Sequence, residues 1–322
     1  MSEASRVRVP GPNDRPVEVE LSNLDKPLFP DVGFTKAEVI DYYTRVAPML
    51  LPHLERRPLT RIRYPNGVAA GGFFEKNAPD GTPEWVSTVT LPAPHSARGR
   101  DEVRYLVIDN LAALVWSANQ AAIELHVPQW RLEPQELEAD ARSGRGRTPH
   151  GRTRHPDRLV FDLDPGPPAG VVECLTVALE LRARLAEDGL EGYVKTSGKK
   201  GIQLLCPISG TQPDELVSAY AKHLAEEMAH RLPALVVTQM ARKLRPGKVF
   251  IDWSQNNAAK TTVAPYSLRA QPSPTVSTPL TWDEVEAGQP VSVGPEEVLE
   301  RLRRGEDPLH RLLEPGPRLP EL

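Results

Sequence analysis

The sequence lacks the features of a secreted, disulfide-linked or membrane-spanning protein. Only two cysteines, Cys174 and Cys206, occur in 322 residues, and both lie in apolar patterns that indicate core positions. No apolar run approaches the length of a membrane span, and the N-terminal segment MSEASRVRVP is polar. We therefore expect a protein of the reducing cytoplasm, without a membrane partner and without a cysteine-based zinc site.

A strong net charge is also missing. The formal net charge is -4, so the total does not indicate a nucleic-acid-binding protein. The charge is unevenly distributed, however: residues 141–158 carry six arginines and one acid, and residues 241–248 carry four basic residues and no acid. Such patches suit a phosphate backbone, and a solvated linker or hairpin is the open alternative.

Proline is plentiful, with 34 residues, and it predicts stiff loops and ends around apolar segments with clear periodicity. A helix is predicted after the N-cap residue Thr35, and the run NLAALVWSANQAAIEL is predicted as one apolar helix. The arginine- and glycine-rich stretch from Glu133 to Pro156 is predicted to be a flexible loop.

The order of the later elements predicts the fold class. From Arg158 onward, strand and helix patterns alternate as β-α-β-β-α-β, the order of ferredoxin-like folds, and one more strand, KVFIDW, follows. We expect an α+β protein with two lobes in one domain. The expected parts are an N-terminal α/β lobe (1–156), an RRM-like catalytic lobe (157–312) and a flexible proline-rich tail (313–322).

Two aspartates, Asp162 and Asp164, alternate with Phe161 and Leu163 in the run RLVFDLDPG. Side chains alternate between the faces of a strand, so both carboxylates point the same way. Asp252 repeats the design in VFIDW. If the two strands are neighbours, three carboxylates converge and suit two Mg²⁺ or Mn²⁺ ions, the arrangement used for in-line attack at phosphorus. For Asp-x-Asp alone, a solvated strand end is the alternative.

Two basic turns fit phosphate oxygens. The loop KTSGKKG offers backbone N–H groups and the cations Lys199 and Lys200, although many hairpins are equally rich in glycine and lysine. The segment ARKLRPGK leads into Asp252 and includes Arg245. The Arg245 guanidinium could bind a triphosphate, and a solvated hairpin is an equally open interpretation of this segment.

Aromatic residues form one more candidate. Phe73 and Phe74 stand next to Lys76 in FFEKNAP, as a base-stacking platform requires, with buried core phenylalanines as the alternative.

Together these segments resemble one family, the polymerase domain of bacterial ligase D, a branch of the archaeo-eukaryotic primase superfamily. The matching segments, in the family's order, are FTKAEVIDYY, FFEKNAP, AIELHVPQW, RLVFDLDPG, KTSGKKG, KVFIDWSQN and TVAPYSLRA. The resemblance covers nearly the whole chain. It implies a two-lobed, primase-like catalytic core and template-dependent nucleotidyl transfer.

The resemblance also implies roles for individual residues. The three metal-binding positions are Asp162, Asp164 and Asp252. The nucleotide-contacting positions are His126, Ser197, Lys200, Gln203, Arg245, Gln255 and Arg269. The DNA-contacting positions are Lys26, Lys36, Arg63, Phe73, Phe74 and Lys76, of which Lys26 and Lys36 match a pair that grips a 5′-phosphate at the far side of a gap or break.

The chain departs from the family's pattern in two places. Gln203 in KGIQ replaces a histidine that helps hold the triphosphate, and glutamine keeps a hydrogen-bond donor but cannot carry charge. The loop from Glu133 to Pro156 is longer and more basic than usual. No Lys-x-Asp-Gly ligase motif occurs, so we expect a stand-alone, monomeric polymerase module.

The resemblance finally implies a cellular setting. Expected partners are DNA with a gap or broken end and a 5′-phosphate, NTP or dNTP, a Ku-like end-binding protein and a separate DNA ligase. The expected cofactor is Mn²⁺ or Mg²⁺. We also expect a preference for ribonucleotides. The expected location is the bacterial cytoplasm, in association with the nucleoid.

Three rival functions stay open. A primase that starts chains de novo belongs to the same class, and residues alone do not separate it from a gap-filling polymerase. An end-binding module whose chemistry has lapsed is supported only by Gln203. A metal-dependent nuclease shares the carboxylates but leaves the loop from Ser197 to Lys200 without a role.

Overall fold

The computed structural model describes residues 5–92, 101–137, 153–288 and 293–322. These residues form two compact units. The described residues within 1–127, 131–152 and 266–275 form the first unit, and those within 128–130, 153–265 and 276–322 form the second. The division therefore differs from the expected boundary at residue 156, because residues 266–275 return to the first unit. The predicted loop from Glu133 to Pro156 and the arginine-rich stretch 141–158 lie largely outside the described residues.

Within the described residues, the first unit includes two complete α-helices and ten strands. The helices are α1 (Lys36–Leu54) and α2 (Leu111–Asn119). The strands are β1 (Ser5–Pro10), β2 (Pro16–Leu21), β3 (Pro27–Phe29), β4 (Phe34–Thr35), β5 (Thr60–Arg63), β6 (Phe73–Glu75), β7 (Thr88–Pro92), β8 (Glu102–Leu106), β9 (Ala122–Val127) and β16 (Leu268–Arg269).

Helix α1 begins where the sequence predicted. Thr35 accepts a hydrogen bond from the backbone N–H of Glu38, whose carboxylate accepts from the Thr35 backbone N–H, and the two bonds form a capping box. At 19 residues α1 is the longest helix described, and within the described ranges no helix is long and apolar enough to cross a membrane.

The prediction of one long helix in NLAALVWSANQAAIEL was wrong. Helix α2 ends at Asn119, Ala121 adopts a left-handed backbone conformation with φ of 57°, and strand β9 follows. The run is largely apolar, so its periodicity does not distinguish a buried helix from a buried strand. Strand β9 pairs antiparallel with β5, which pairs antiparallel with β6.

The second unit is built on a six-stranded sheet with two long helices. Its helices are α3 (Val171–Glu187), α4 (Asp214–Arg231), α5 (Trp282–Glu286) and α6 (Pro295–Arg303). Its strands are β10 (Arg158–Pro165), β11 (Tyr193–Thr196), β12 (Ile202–Pro207), β13 (Val236–Val237), β14 (Val249–Asp252), β15 (Thr262–Val263) and β18 (Pro279–Leu280), and β17 (Thr275–Val276) spans the division between units.

The predicted βαββαβ unit is present, with one change in its fourth strand. The sheet order is β13-β14-β10-β12-β11-β18. Strand β14, rather than β13, lies antiparallel beside β10, and β13 is a two-residue edge strand parallel to β14. The sequence predicted β13 as the fourth strand because it is the next apolar run after α4, and only the pairing decides between them.

The two faces of this sheet are covered differently. On one face Leu159, Phe161 and Leu163 of β10 pack into a core with helices α3 and α4. On the other face Val160 packs with Leu309 and Leu312. The carboxyl-terminal half of β10 carries its aspartates on this second face, beyond that cover.

The tail corrects another expectation. Residues 313–322 were expected to be flexible, but Leu319 is buried, and it exchanges two hydrogen bonds with the side chain of Gln212, at 2.7 and 3.0 Å. The backbone N–H of Ser209 donates to the carbonyl of Pro317 at 3.0 Å. Proline restricts the backbone whether or not a segment is mobile, so a proline-rich composition alone does not predict flexibility.

Candidate active site

The aspartates predicted to converge lie on neighbouring strands. Asp162 of β10 stands directly opposite Asp252 of β14, so their side chains share one face of the sheet. Asp164 follows two residues later on that face. The condition on which the expected metal site depends, that the two aspartate-bearing strands are neighbours, is therefore met.

The same row of the sheet continues on the other side of Asp162. Gln203 of β12 is the register partner of Asp162, and Lys195 of β11 is the register partner of Gln203. Four side chains therefore form one line across four strands, in the order Lys195, Gln203, Asp162, Asp252. We call this line the cross-strand row. It runs from a cation through an amide to two carboxylates.

Burial and like charges make Asp162 harder to ionise than an ordinary aspartate. Desolvation, followed by the nearby carboxylate of Asp164, raises the pKa of Asp162 to about 7, with a further contribution from Asp252. The hydrogen bond from Gln203 and the charge of Lys195 oppose this rise in pKa. A cation bound at the carboxylates would relieve the same repulsion.

The oxygens of Asp252 are engaged within the chain. One oxygen accepts from the backbone N–H of Ser254 at 3.1 Å and lies 4.0 Å from the ammonium of Lys260. The other accepts from the side-chain amide of Gln255 at 2.8 Å. Gln255, which the resemblance implied to be a nucleotide contact, is here a partner of the aspartate.

The carboxylates offer the oxygen donors that a divalent cation prefers, but their side chains are not placed to bind one ion together. Hard oxygen donors are the ligands that Mg²⁺ and Mn²⁺ prefer. In this arrangement no group of three or more His, Cys, Asp or Glu side chains within the described part of the chain could hold a metal ion. An ion held by Asp162 and Asp252 together would compete with the hydrogen bonds that Ser254 and Gln255 donate to Asp252.

The loop from Ser197 to Gly201 lies against the aspartate strand. A Cβ added to Gly201 would meet the carbonyl oxygen of Leu163 at 2.4 Å and a carboxylate oxygen of Asp164 at 3.4 Å, so only glycine fits this approach. The Ser197 hydroxyl accepts from the backbone N–H groups of Lys199 and Gly201, at 3.3 and 3.1 Å. The loop therefore holds a shaped turn beside Asp164.

Two cations of the predicted set approach this edge of the second unit. Lys200 is exposed in the loop. The guanidinium of Arg245 lies 3.7 Å from the ring centroid of Phe250, which is the register partner of Asp164. A Cβ on Gly166 would meet the Arg245 carbonyl at 2.1 Å, so the arginine's backbone is packed against the end of β10.

In the first unit, a buried carboxylate connects two of the predicted nucleotide contacts. Glu124 is fully buried in β9, and its carboxylate lies 3.1 Å from the His126 ring and 3.3 Å from the Arg269 guanidinium. It also accepts from the backbone N–H of Ala270 at 3.1 Å. Sequence analysis missed Glu124, although a charged residue in the apolar run AIELHV, two positions from His126, repeats the pattern of Asp162 and Asp164.

The two predicted stacking residues are exposed. Phe73 and Phe74 of β6 are 44% and 62% exposed, and the Phe74 ring centroid lies 6.4 Å from that of His126. A core position, the alternative interpretation, is therefore wrong for both. Lys76 beside them is also exposed.

Ion pairs connect strand β6 to its neighbour β5. Arg61 is fully buried and donates to Glu75, Ser117 and Gln120. Arg63 donates to Glu75 at 2.8 Å, and its guanidinium lies 5.5 Å from the centre of the Phe73 ring. Arg63, predicted to contact DNA, is thus engaged in holding β6.

The predicted phosphate-gripping pair differs in its two members. Lys26 and Lys36 are joined through their backbones, since the Lys36 N–H donates to the Lys26 carbonyl at 2.9 Å. The Lys36 ammonium is buried and donates to the Ser22 carbonyl and to Asn119. Burial and the charge of Lys26 lower the pKa of Lys36. Lys26 is half-buried and donates to Asn66 at 3.4 Å.

A family model described as "LigD, primase-polymerase domain" matches residues 35–309. The chain belongs to the LigD primase-polymerase family. The predicted recognition of this family is thereby confirmed.

Curated relatives and a solved structure agree with the assignment. The multifunctional non-homologous end joining protein LigD of Mycolicibacterium smegmatis is 40% identical over 295 residues, which cover 92% of this chain and 36% of that protein. The Mycobacterium tuberculosis LigD is 42% identical over 91% of this chain and 37% of its own length. The chain thus spans little more than a third of these relatives.

The polymerase domain of Mycobacterium tuberculosis ligase D, solved in complex with DNA, is similar in fold as well. It matches with a TM-score of 0.81 and 41% identity, over 92% of this chain and 98% of that one. The expected α+β, primase-like fold class is confirmed by this match.

Proposed function

We propose that this protein is a template-dependent nucleotidyltransferase that extends DNA primers at short gaps or broken ends in DNA repair by end joining or gap filling. The observation that carries the proposal is the pairing of Asp162 with Asp252, together with Asp164 on the same face. Membership of the LigD primase-polymerase family and the similarity to a polymerase domain solved with DNA support it.

The proposed chemistry is one displacement at phosphorus. The primer's 3′-hydroxyl oxygen bonds to the α-phosphorus of a nucleoside triphosphate, the bond to the β-phosphate bridging oxygen breaks, and pyrophosphate leaves as the hydroxyl proton passes to solvent. Alignment and charge stabilisation do most of the work in such transfers, so no side chain need act as an obligate base. Asp162, Asp164 and Asp252 would hold Mn²⁺ or Mg²⁺, which supplies activation of the hydroxyl and neutralisation of phosphate charge.

Other side chains have proposed roles in binding. Ser197 and Lys200 would contact the triphosphate from their turn, with Arg245 as a guanidinium partner for phosphate oxygens. Phe73 and Phe74 would stack on a base, since both are exposed aromatic faces. Further proposed contacts are His126, Gln203, Gln255 and Arg269 for the nucleotide, and Lys26, Lys36, Arg63 and Lys76 for DNA.

The finer specificity is proposed on the resemblance alone. We expect 5′-phosphate recognition at the far side of the gap, a preference for ribonucleotides, and partners that include a Ku-like end-binding protein and a separate ligase. Equal use of ribo- and deoxynucleotides on one gapped substrate would refute the sugar preference.

A second candidate is an end-binding module without catalysis. The observation that favours it is the engagement of both Asp252 oxygens by internal donors. End binding requires no catalytic metal, so metal dependence separates the two functions.

The test uses a labelled primer on a gapped duplex with or without a 5′-phosphate. Each ribo- or deoxynucleotide is supplied with Mn²⁺ or Mg²⁺, and Asp162→Ala/Asp164→Ala protein is the control. Extension by the native protein only, stronger with the 5′-phosphate, is the expected result. Binding that depends on the 5′-phosphate but extension by neither protein would establish the end-binding module. Extension without any primer would indicate a primase.

A further inference from the structure

The cross-strand row begins with a buried cation. Lys195 is 1% exposed and lies on β11, between β12 and the edge strand β18. Its ammonium donates to the side-chain oxygen of Gln203 at 2.5 Å and to the hydroxyl of Ser277 at 2.6 Å. Burying an ammonium costs several kcal/mol, and hydrogen bonds to these two acceptors offset part of that cost.

The lysine determines which way the Gln203 amide points. A side-chain amide carries an acceptor oxygen and a donor NH₂ group, and the two can exchange places by a flip. An ammonium can only donate, so it holds the amide oxygen of Gln203 on its own side. The NH₂ group is thereby turned toward Asp162, to whose carboxylate it donates at 3.1 Å.

The polarity of this chain of bonds is consistent at both ends. The Ser277 hydroxyl donates to the Thr196 carbonyl at 2.8 Å, which leaves its lone pairs free to accept from Lys195. At the far end an ionised carboxylate can only accept. With the amide reversed, its oxygen would face the ionised Asp162 carboxylate, and two acceptors would meet.

We propose that Lys195 is a positioning residue that fixes the amide of Gln203 as a donor toward Asp162 and so holds that carboxylate in place for the reaction. We call this fixed orientation of the Gln203 amide the lock. It depends on the residues of the second unit alone and not on metal or DNA. Its consequence for metal binding and primer extension rests on the proposed function.

The decisive measurement observes the amide directly and needs neither metal nor DNA. The protein is labelled with ¹⁵N-glutamine, and the side-chain NH₂ signals of Gln203 are identified by their loss in Gln203→Met protein. We expect hydrogen exchange of this pair to accelerate at least tenfold in Lys195→Met. Ser277→Ala, which leaves the Lys195–Gln203 contact in place, serves as a packing control and should change exchange less than twofold.

A double-mutant cycle tests the consequence at the carboxylates. Mn²⁺ affinity, measured by electron paramagnetic resonance without nucleotide or DNA, and nucleotide kcat/KM should each fall at least fivefold in Lys195→Met. The same substitution in a Gln203→Met background should change either quantity less than twofold, because the lysine then has no amide to orient. Full additivity would show that Lys195 acts on stability alone and would overturn the proposal.

The outcomes separate the lock from the proposed function. If the native protein neither binds Mn²⁺ nor extends primers, the proposed function fails, and the exchange data still decide the lock. If Lys195→Met does not fold, the native amide decides alone: a Gln203 pair that exchanges as fast as exposed glutamine side chains rules the lock out.

Discussion

Asp162 and Asp252 stand directly opposite each other on two neighbouring antiparallel strands. Like charges in that position destabilise a sheet, since their Cβ atoms are about 5 Å apart. The fold therefore carries an electrostatic cost in the sheet of the second unit. In the proposed function that cost has a use, because the same repulsion favours a bound divalent cation.

Removing the charge of Asp162 should stabilise the metal-free protein at neutral pH. The pKa of Asp162 is about 7 in the folded state, above its ordinary value of about 3.9, so the folded protein holds a proton that the unfolded chain releases. Stability is therefore lost as the pH rises from about 4 through 7. We expect Asp162→Asn to exceed the native protein in unfolding free energy by at least about 1 kcal/mol at pH 8.

Denaturant titrations at pH 5 and pH 8, with chelator present, measure this difference. The advantage of Asp162→Asn should shrink at pH 5, and Asp25→Asn, an exposed control, should show no such trend. An advantage that does not change with pH would contradict the prediction.

Phe74 should matter for DNA binding and not for stability. It is 62% exposed, so Phe74→Ala should change the unfolding free energy by less than about 0.5 kcal/mol. Loss of base stacking should weaken binding to a gapped duplex by about 1–3 kcal/mol in fluorescence anisotropy. Val172→Ala removes an equally exposed apolar side chain from the second unit and is the matched control. Equal losses in both variants would indicate a nonspecific effect.

Lys26 should contribute to 5′-phosphate binding alone, whereas Lys36 should contribute to stability as well. Lys26→Met should leave stability unchanged, remove the preference for a 5′-phosphate, and reduce the slope of log binding constant against log salt by about one. Lys36→Met should cost about 1–3 kcal/mol of stability, because it leaves the Ser22 carbonyl and Asn119 without their buried donor. A loss of stability in Lys26→Met but not in Lys36→Met would contradict this prediction.

The parts of the fold that could be predicted from sequence are those with local signals. The alternation of Asp162 and Asp164 with apolar residues identified both the strand and the face, and the capping box identified the start of α1. The choice of β14 over β13 as the neighbour of β10 could not be predicted, because both are short apolar runs after α4.

Interactions that depend on the register between strands could not be predicted from the sequence either. Lys195 reads as part of a basic turn in the sequence, and only the pairing of β11 with β12 shows that it is buried beside Gln203. Glu124 carried a signal, a charge in an apolar strand, but its contact with Arg269 joins residues far apart in the chain. Such contacts follow from tertiary packing, which no local pattern encodes.

Glu124 and Arg269 should be coupled energetically. Arg269 is buried, and its guanidinium lies 3.3 Å from the fully buried carboxylate of Glu124. Removing one partner of a buried pair leaves an uncompensated charge, which costs about 3–5 kcal/mol, so Glu124→Gln and Arg269→Met should each destabilise the protein on that scale. The double variant leaves neither charge behind, so its loss of unfolding free energy should be much smaller than the sum of the two single losses.

Urea titrations of all four proteins measure the coupling. If the two single losses add up to the double loss within about 0.5 kcal/mol, the two residues stabilise the fold independently. Strong coupling would mean that Glu124 holds Arg269 in position. Glu124 would then belong with the predicted site residues, from which it was absent.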